Sequence, residues 1–260
     1  MELGLKDKIA LVTGSSRGIG RGTALALAAE GCDLMLTGRD AAALDDVAKA
    51  IRAKGRRAAS AVLDLREPDA AEKLIGQVRR EFGGLDILFN NAGTTKRGDF
   101  FALPDSDWQD GFALKFFAHV RLARAAWPLL KERRGSLVSI GGTSGRKPHA
   151  EFTIGSSVNA AVAAFTKCLA DRGKEDGVHV NCIHPSLVET ERQWHRIRAE
   201  VERTGLSEQK IREQMCRETG IIRYGTVEDV ADLVTFIVSS RATWLHGTTI
   251  DLDGGEIPVL

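Results

Sequence analysis

The chain has 260 residues, 43% of them hydrophobic, with 36 basic and 35 acidic side chains and a formal charge of +1. Its size allows a self-sufficient core, and open α/β sheets reach this length as one unit, so a single domain over 1–260 is expected. The even charge balance argues against a nucleic-acid partner, and the lack of an apolar run of about 18 residues argues against a membrane span. Cys32, Cys168, Cys182 and Cys216 are widely spaced, without a CxxC pair or Cys/His ligand spacing. No metal site and no disulfide framework is expected, but four reduced, mostly buried thiols in a cytoplasmic protein. Met1 to Lys6 lead into a strand without the apolar stretch of a signal peptide.

Ile9–Val12 is a short apolar run that meets a glycine turn, and the alanine-rich segment Arg21–Glu30 reads as a helix stopped by Gly31. Leu34–Thr37 is a second strand. Asp40 is placed to cap a helix over Ala41–Lys54 that ends at Gly55. Ala58–Leu63 is a third strand closing on Asp64, followed by a helix from about Pro68 to Phe82. Leu85–Phe89 is a fourth strand, running into Asn90-Asn91-Ala92-Gly93. A long helix spans Asp107–Lys131, with a bend expected at Pro128. Ser136–Ile140 is a fifth strand, Phe152–Ala170 a helix, Val178–Ile183 a sixth strand, Val227–Val238 a helix and Thr248–Leu252 the last strand.

Strands joined by helices of this length pair in parallel through right-handed crossovers, with helices on both faces of a doubly wound, Rossmann-type sheet. Residues 190–223 interrupt the rhythm. They are charge-rich and carry Trp194, His195, Ile197, Val201, Ile211 and Met215 at helical spacings. Two amphipathic helices joined at Thr204-Gly205 fit, and an insertion at this edge of the sheet lies over the ligand crevice. A substrate lid and a surface or oligomer contact are equal readings of it. As residues of such a lid, Trp194, Trp244 and Ile221 suggest a partly apolar small-molecule substrate.

The turn Thr13-Gly14-Ser15-Ser16-Arg17-Gly18-Ile19-Gly20 has GxxxGxG spacing. A tight strand-to-helix turn needs backbone angles that side chains disfavour. A pyrophosphate docking on a helix N-terminus needs close backbone approach and free N–H groups. Thr37-Gly38-Arg39 ends the second strand with no acidic residue to accept from a ribose 2′-hydroxyl. Arg39, with Arg17, is suited to a 2′-phosphate, so NADP is expected, with NAD as the alternative. Asp40 falls one residue late and suits a cap.

This turn, then Asp64, Asn90-Asn91-Ala92-Gly93, Pro185 with Thr190, and Asp253-Gly254-Gly255 occur in the order and spacing of the short-chain dehydrogenase/reductase family, which the chain resembles from about Leu5 to Gly255. The resemblance implies a seven-stranded parallel sheet, a nicotinamide dinucleotide, and a homotetramer or homodimer pairing the two long helices. It implies that Gly14, Ser16, Arg17, Gly18, Ile19, Gly20 and Arg39 hold the phosphates. By position, Asp64 meets the adenine, Asn91, Ala92 and Gly93 line the adenosine side, and Pro185, Val188 and Thr190 pass near the nicotinamide.

The family's chemistry uses an asparagine, a serine, a tyrosine and a lysine. In this chain those positions fall on Lys115, Gly142, Gly155 and Asn159. The single tyrosine is Tyr224, so no register restores the pair. Asn159 keeps the ability to hydrogen-bond a ribose, but it cannot tune a pKa as an ammonium does. Lys115, amid Phe112, Leu114, Phe116 and Phe117, is the sharpest replacement: desolvation lowers a lysine pKa toward acid–base use. It could protonate an oxygen, stabilise an enolate or form a Schiff base; the alternative is a lysine snorkelling at a helix edge. His149 and His184, placed on loops after strands five and six, are candidate proton shuttles. Thr143 and Ser144 could bind a carbonyl or satisfy a turn. The leading expectation is an NAD(P)-dependent oxidoreductase with a nonstandard active site, here taken as Lys115 and His184. The alternatives are a lyase or isomerase using Lys115, and a catalytically silent dinucleotide-binding protein.

Overall fold

The computed structural model describes residues 1–258. Seven parallel strands form one sheet: β1 (Ile9–Thr13), β2 (Asp33–Gly38), β3 (Ala58–Val62), β4 (Ile87–Asn90), β5 (Ser136–Ile140), β6 (His179–Pro185) and β7 (Thr249–Leu252). Their order is β3-β2-β1-β4-β5-β6-β7. Chain direction across the sheet reverses between β1 and β4, and the crevice outside the carboxyl ends of the strands opens there.

Burial on both faces explains why the strands read as continuous apolar runs. Ala10, Val12, Leu34, Leu36 and Phe89 point to one face. There they pack on α1 (Gly18–Ala29), α2 (Ala41–Arg52) and α9 (Val227–Ile237) through Leu27, Leu44 and Val234. Leu11, Met35, Leu88 and Leu137 point to the other face. They meet Leu74 of α3 (Ala70–Phe82), Leu122 and Leu129 of α5 (Ala118–Arg133) and Ala170 of α6 (Thr153–Asp176).

The long helix expected over 107–131 is divided. α4 (Asp105–Phe112) passes into a π-helical turn, Ala113–Phe117, before α5. Pro128 lies inside α5, so the irregularity falls on Lys115 and not on the proline. Such turns recur at functional sites because they re-aim side chains. α6 runs beyond Ala170 to Asp176, whose carboxylate accepts from Trp127 Nε1 (2.8 Å), Lys131 Nζ (2.6 Å) and Arg172 Nε (2.9 Å). Gly177, at φ 70°, then ends the helix.

Three further expectations are corrected. His184 lies within β6, fully buried, and not on a loop. Trp244 is 98% exposed and lies outside the insertion. The thiols are free, but only Cys32 and Cys182 are buried.

The insertion forms α7 (Glu191–Thr204) and α8 (Glu208–Thr219), joined through Gly205. Ile197, Ile211, Met215 and Tyr224 bury a small core between them. Among the described residues, no helix is long and apolar enough to cross a membrane.

Candidate active site

The glycine turn joins β1 to α1. Gly14 and Gly18 take φ of 65° and 53°, which L side chains rarely adopt. A Cβ at Gly20 would collide with the Gly14 carbonyl oxygen. Thr13 Oγ1 accepts from the amides of Asn91 (2.9 Å) and Ala92 (3.0 Å), and Asn91 Nδ2 donates to Thr13 O (2.9 Å). The ends of β1 and β4 are thereby stitched together. The N-cap of α1, Arg17, makes no side-chain cap bond, so the first-turn N–H groups face the crevice uncapped.

The other candidate binding residues line the same edge. Ser16 Oγ stands 3.5 Å from a Cβ built on Gly38, beside Arg39. Arg39 is 65% exposed, with its guanidinium 3.8 Å from Asp64. Asp40 caps α2 through Ala43 N (3.0 Å), as expected. Arg17 and Arg39 do not converge on one partner: Arg17 turns to Glu191 of the insertion (3.4 Å) and Arg39 to Asp64. Thr190 is the N-cap of α7, yet its hydroxyl makes no cap bond, and its methyl lies 3.4 Å from a Cβ built on Gly18. Pro185 and Val188 are buried, Val188 in the core and in a backbone bridge to Gly225.

A dinucleotide fits this donor set. Uncapped helix amides and close backbone approach suit a pyrophosphate, and the Arg39 guanidinium suits an added phosphate. Asn159 Oδ1 is a buried acceptor without a partner, available to a ribose hydroxyl.

Lys115 is drawn into the crevice by the π-turn. Its stem packs on Gly93, with Cγ 2.9 Å from a Cβ built there, and its Nζ donates to Gly141 O (3.0 Å). Burial, reinforced by the positive charge of Arg192, lowers its pKa to about 8. Gly141 and Gly142 are held by His184, whose Nδ1 accepts from Gly142 N (2.9 Å). A Cβ on Gly142 would meet Asn159 Nδ2 at 2.7 Å, and that amide donates to Ser144 Oγ (2.8 Å). A Cβ on Gly155 would strike the Phe152 ring. The space beside Gly142 and Gly155 is therefore filled by Asn159 and Phe152.

The structure thus gathers Lys115, Gly93, Gly141, Gly142, Asn159 and His184. His149 stays apart at the start of a 3₁₀ turn. Phe152, His119 and the arginines of α7 escaped the sequence reading, because nothing local marks which of them faces the crevice. His119 Nε2 lies 3.3 Å from Ala92 O, behind Lys115.

Burial pushes the His119 and His184 imidazoles down to about 4. Both are neutral in the folded protein near pH 7. Between the ordinary value near 6.5 and about 4, the unfolded chain takes up protons that the folded chain refuses. Stability is therefore lost as pH falls through this window, by roughly 3 kcal/mol per imidazole, and levels off below it. Urea midpoints at pH 7, 5.5 and 4.5 check this: the wild-type midpoint falls more steeply than that of His119→Gln. Parallel curves for the two proteins contradict it.

Residues 8–200 match the family model described as short chain dehydrogenase. An uncharacterized oxidoreductase of Mycobacterium tuberculosis is 34% identical over 253 residues, spanning 96% of this chain and 92% of that protein. The structure of L-sorbose reductase from Gluconobacter frateurii, complexed with NADPH and L-sorbose, superposes with a TM-score of 0.97 at 31% identity, covering 100% of both chains. A short chain dehydrogenase from Burkholderia cenocepacia in complex with NADP superposes at 0.83 with 31% identity, covering 98% of this chain and 99% of that one.

Proposed function

This chain belongs to the short-chain dehydrogenase family, and we propose that it reduces or forms a carbonyl with NADP at a nonstandard active centre built on Lys115. It is an oxidoreductase, and the NADPH- and NADP-bound neighbours support NADP as its cofactor. In this reading Gly14, Ser16, Arg17, Gly18, Ile19 and Gly20 cradle the pyrophosphate side and Arg39 takes the 2′-phosphate. Asp64, Asn91, Ala92 and Gly93 line the adenosine side, and Asn159 serves the ribose. Pro185, Val188 and Thr190 border the nicotinamide, which when bound supplies or receives the hydride.

One observation carries the mechanistic part: the Lys115 ammonium donates to Gly141 O and pairs with no carboxylate among the described residues. A carbonyl that gains a hydride becomes an alkoxide and needs a proton. Lys115 stands where the family's asparagine is expected, with Gly142 and Gly155 leaving no side-chain acid nearby. It holds a proton at Nζ at neutral pH and is acidic enough to release it. Ser144 accepts from Asn159, so its own hydroxyl proton remains available to orient the substrate oxygen. His184 is assigned a positioning role in place of proton shuttling, because its Nδ1 is committed to Gly142 N and its ring is buried. Oxidation of NADPH by members of a carbonyl panel, lost in a Lys115 variant, tests the reading; substrate turnover without change at the nicotinamide band contradicts it.

We read residues 1–260 as one domain, with residues 190–223 as its lid. The four free thiols suit a cytoplasmic enzyme. Homotetramer or homodimer assembly is proposed through α5 and α6, where exposed Phe117 adjoins Phe116, which itself stacks edge-on with Phe165 (6.0 Å).

Arg39→Met tests the cofactor choice. A hydrogen bond to a charged group contributes about 1.5–3 kcal/mol. The preference for NADP over NAD therefore falls about tenfold to a hundredfold, with NAD affinity unaltered. Competition titrations of both dinucleotides read this, and an unchanged ratio rules out Arg39 as the 2′-phosphate ligand.

A further inference from the structure

The crevice beside Lys115 is roofed by α7. Arg192 and Arg196 stand one turn apart on that helix and so share a face. Arg192 Nη2 donates to Gly93 O (2.8 Å), and Arg196 acts electrostatically on Arg97. The segment from Gly93 to Arg97 therefore runs beneath that face. Arg97 lies over the Phe152 ring, 4.1 Å from its centroid, and that ring fills the space in front of Gly155. Stacking fixes the plane of the guanidinium and leaves its N–H edge unused.

Charge pairing divides the arginines of this region. Arg203, Arg212 and Arg223 each hold a carboxylate, of Glu200, Glu189 and Asp229. Among the described residues, Arg97, Arg192 and Arg196 pair with none; Arg192 meets only a carbonyl. The acidic groups that Arg97 senses are Glu151 and Glu256, both beyond ion-pair distance. Glu256 is engaged by Ser186 Oγ (2.5 Å). Partial desolvation lowers the basicity of Arg97, with repulsion from Arg196 added, and that of Arg192, with repulsion from Arg17 added. All three side chains stay exposed at the mouth of the crevice, so their charges are open to an incoming anion.

We propose that Arg97 on the floor and Arg196 on the roof, with Arg192 beside them, receive an anionic group of the substrate, a carboxylate or a phosphate, while its carbonyl lies toward Lys115. This rests on the oxidoreductase reading for the placement of the carbonyl. Guanidinium forks match both anions bidentately.

The test uses the full chain saturated with NADPH. Its binding and reduction of pyruvate, acetoacetate and levulinate are compared with those of their methyl esters, and dihydroxyacetone phosphate with dihydroxyacetone. At least one anion is expected to bind tenfold or more tightly than its neutral counterpart, with the advantage shrinking as salt is raised. The pair that shows it separates carboxylate from phosphate. In the double variant Arg97→Met, Arg196→Met the advantage disappears, while NADPH binding reports that the protein is folded. The proposal is overturned if no anion exceeds its neutral partner, or if the preference survives in the double variant. Anion binding without NADPH consumption upholds this site and refutes the placement of the carbonyl at Lys115; reduction of neutral ketones alone does the reverse.

Discussion

Lys115→Met lowers kcat for carbonyl reduction by about 10²–10⁴-fold, the usual contribution of a positioned acid, while NADPH still binds. Methionine keeps an unbranched stem against Gly93 and removes only the ammonium and its bond to Gly141 O. Taking a desolvated charge out of an enclosed site costs the fold little, so the variant remains folded. The pH profile makes the test specific to proton donation. With a pKa of about 8, Lys115 is protonated across the neutral range. Reduction by the wild type is level below about pH 8 and falls tenfold per unit above it; the variant lacks that limb. A variant that loses rate but keeps the alkaline fall would assign the proton to another group, and one that keeps its rate would sink the mechanism.

Gly20→Ala is the second large effect. The added Cβ meets the Gly14 carbonyl oxygen and, at 2.6 Å, the Asn91 amide nitrogen. The carbonyl is backbone in a turn already at φ 65°, so it cannot rotate aside as a side-chain end would. Overpacking of this kind costs about 1–3 kcal/mol, which lowers Tm by about 3–10 °C in a chain of this size. The shifted turn also misaligns the amides of α1. Losing two charge-assisted hydrogen bonds of about 1.5 kcal/mol each weakens NADPH binding by at least about 10²-fold. Gly76→Ala is the control. It lies in α3 with its nearest neighbour, Arg80 Nη1, at 3.5 Å, and should gain up to about 1 kcal/mol of stability with binding unchanged. Equal behaviour of the two variants in calorimetry and NADPH titration would refute the steric argument.

Local chemistry made much of the fold legible. Apolar runs bounded by glycines and caps marked the strands, and Asp40 marked the start of α2 because an Asx side chain and its helix amide are only three residues apart. The hinge of the insertion at Gly205 was equally local. Errors arose where distant contacts decide. Beyond Ala170 the local signals are weak, an Arg172–Asp176 pair and the stop at Gly177, and Trp127 and Lys131 on another helix add to the hold on Asp176. His184 was expected on a loop, but pairing with β7 carries β6 through it to Pro185.

The site divides in the same way. The glycine turn, the arginine after β2 and the absence of a tyrosine–lysine pair follow from residue identity and from spacing along one strand–turn–helix unit. What fills the space beside Gly142 and Gly155 depends on contacts distant in sequence. Phe152 covers Gly155, Asn159 covers Gly142, and a π-turn aims Lys115 at Gly141. Strand order and the fold-back of α7 also bring Arg192 onto the Gly93 carbonyl, about a hundred positions away, at the edge of the sheet where Arg97 lies. Burial and through-space charge set the proton affinities of Lys115, His119 and His184. Neither is a property of sequence neighbours.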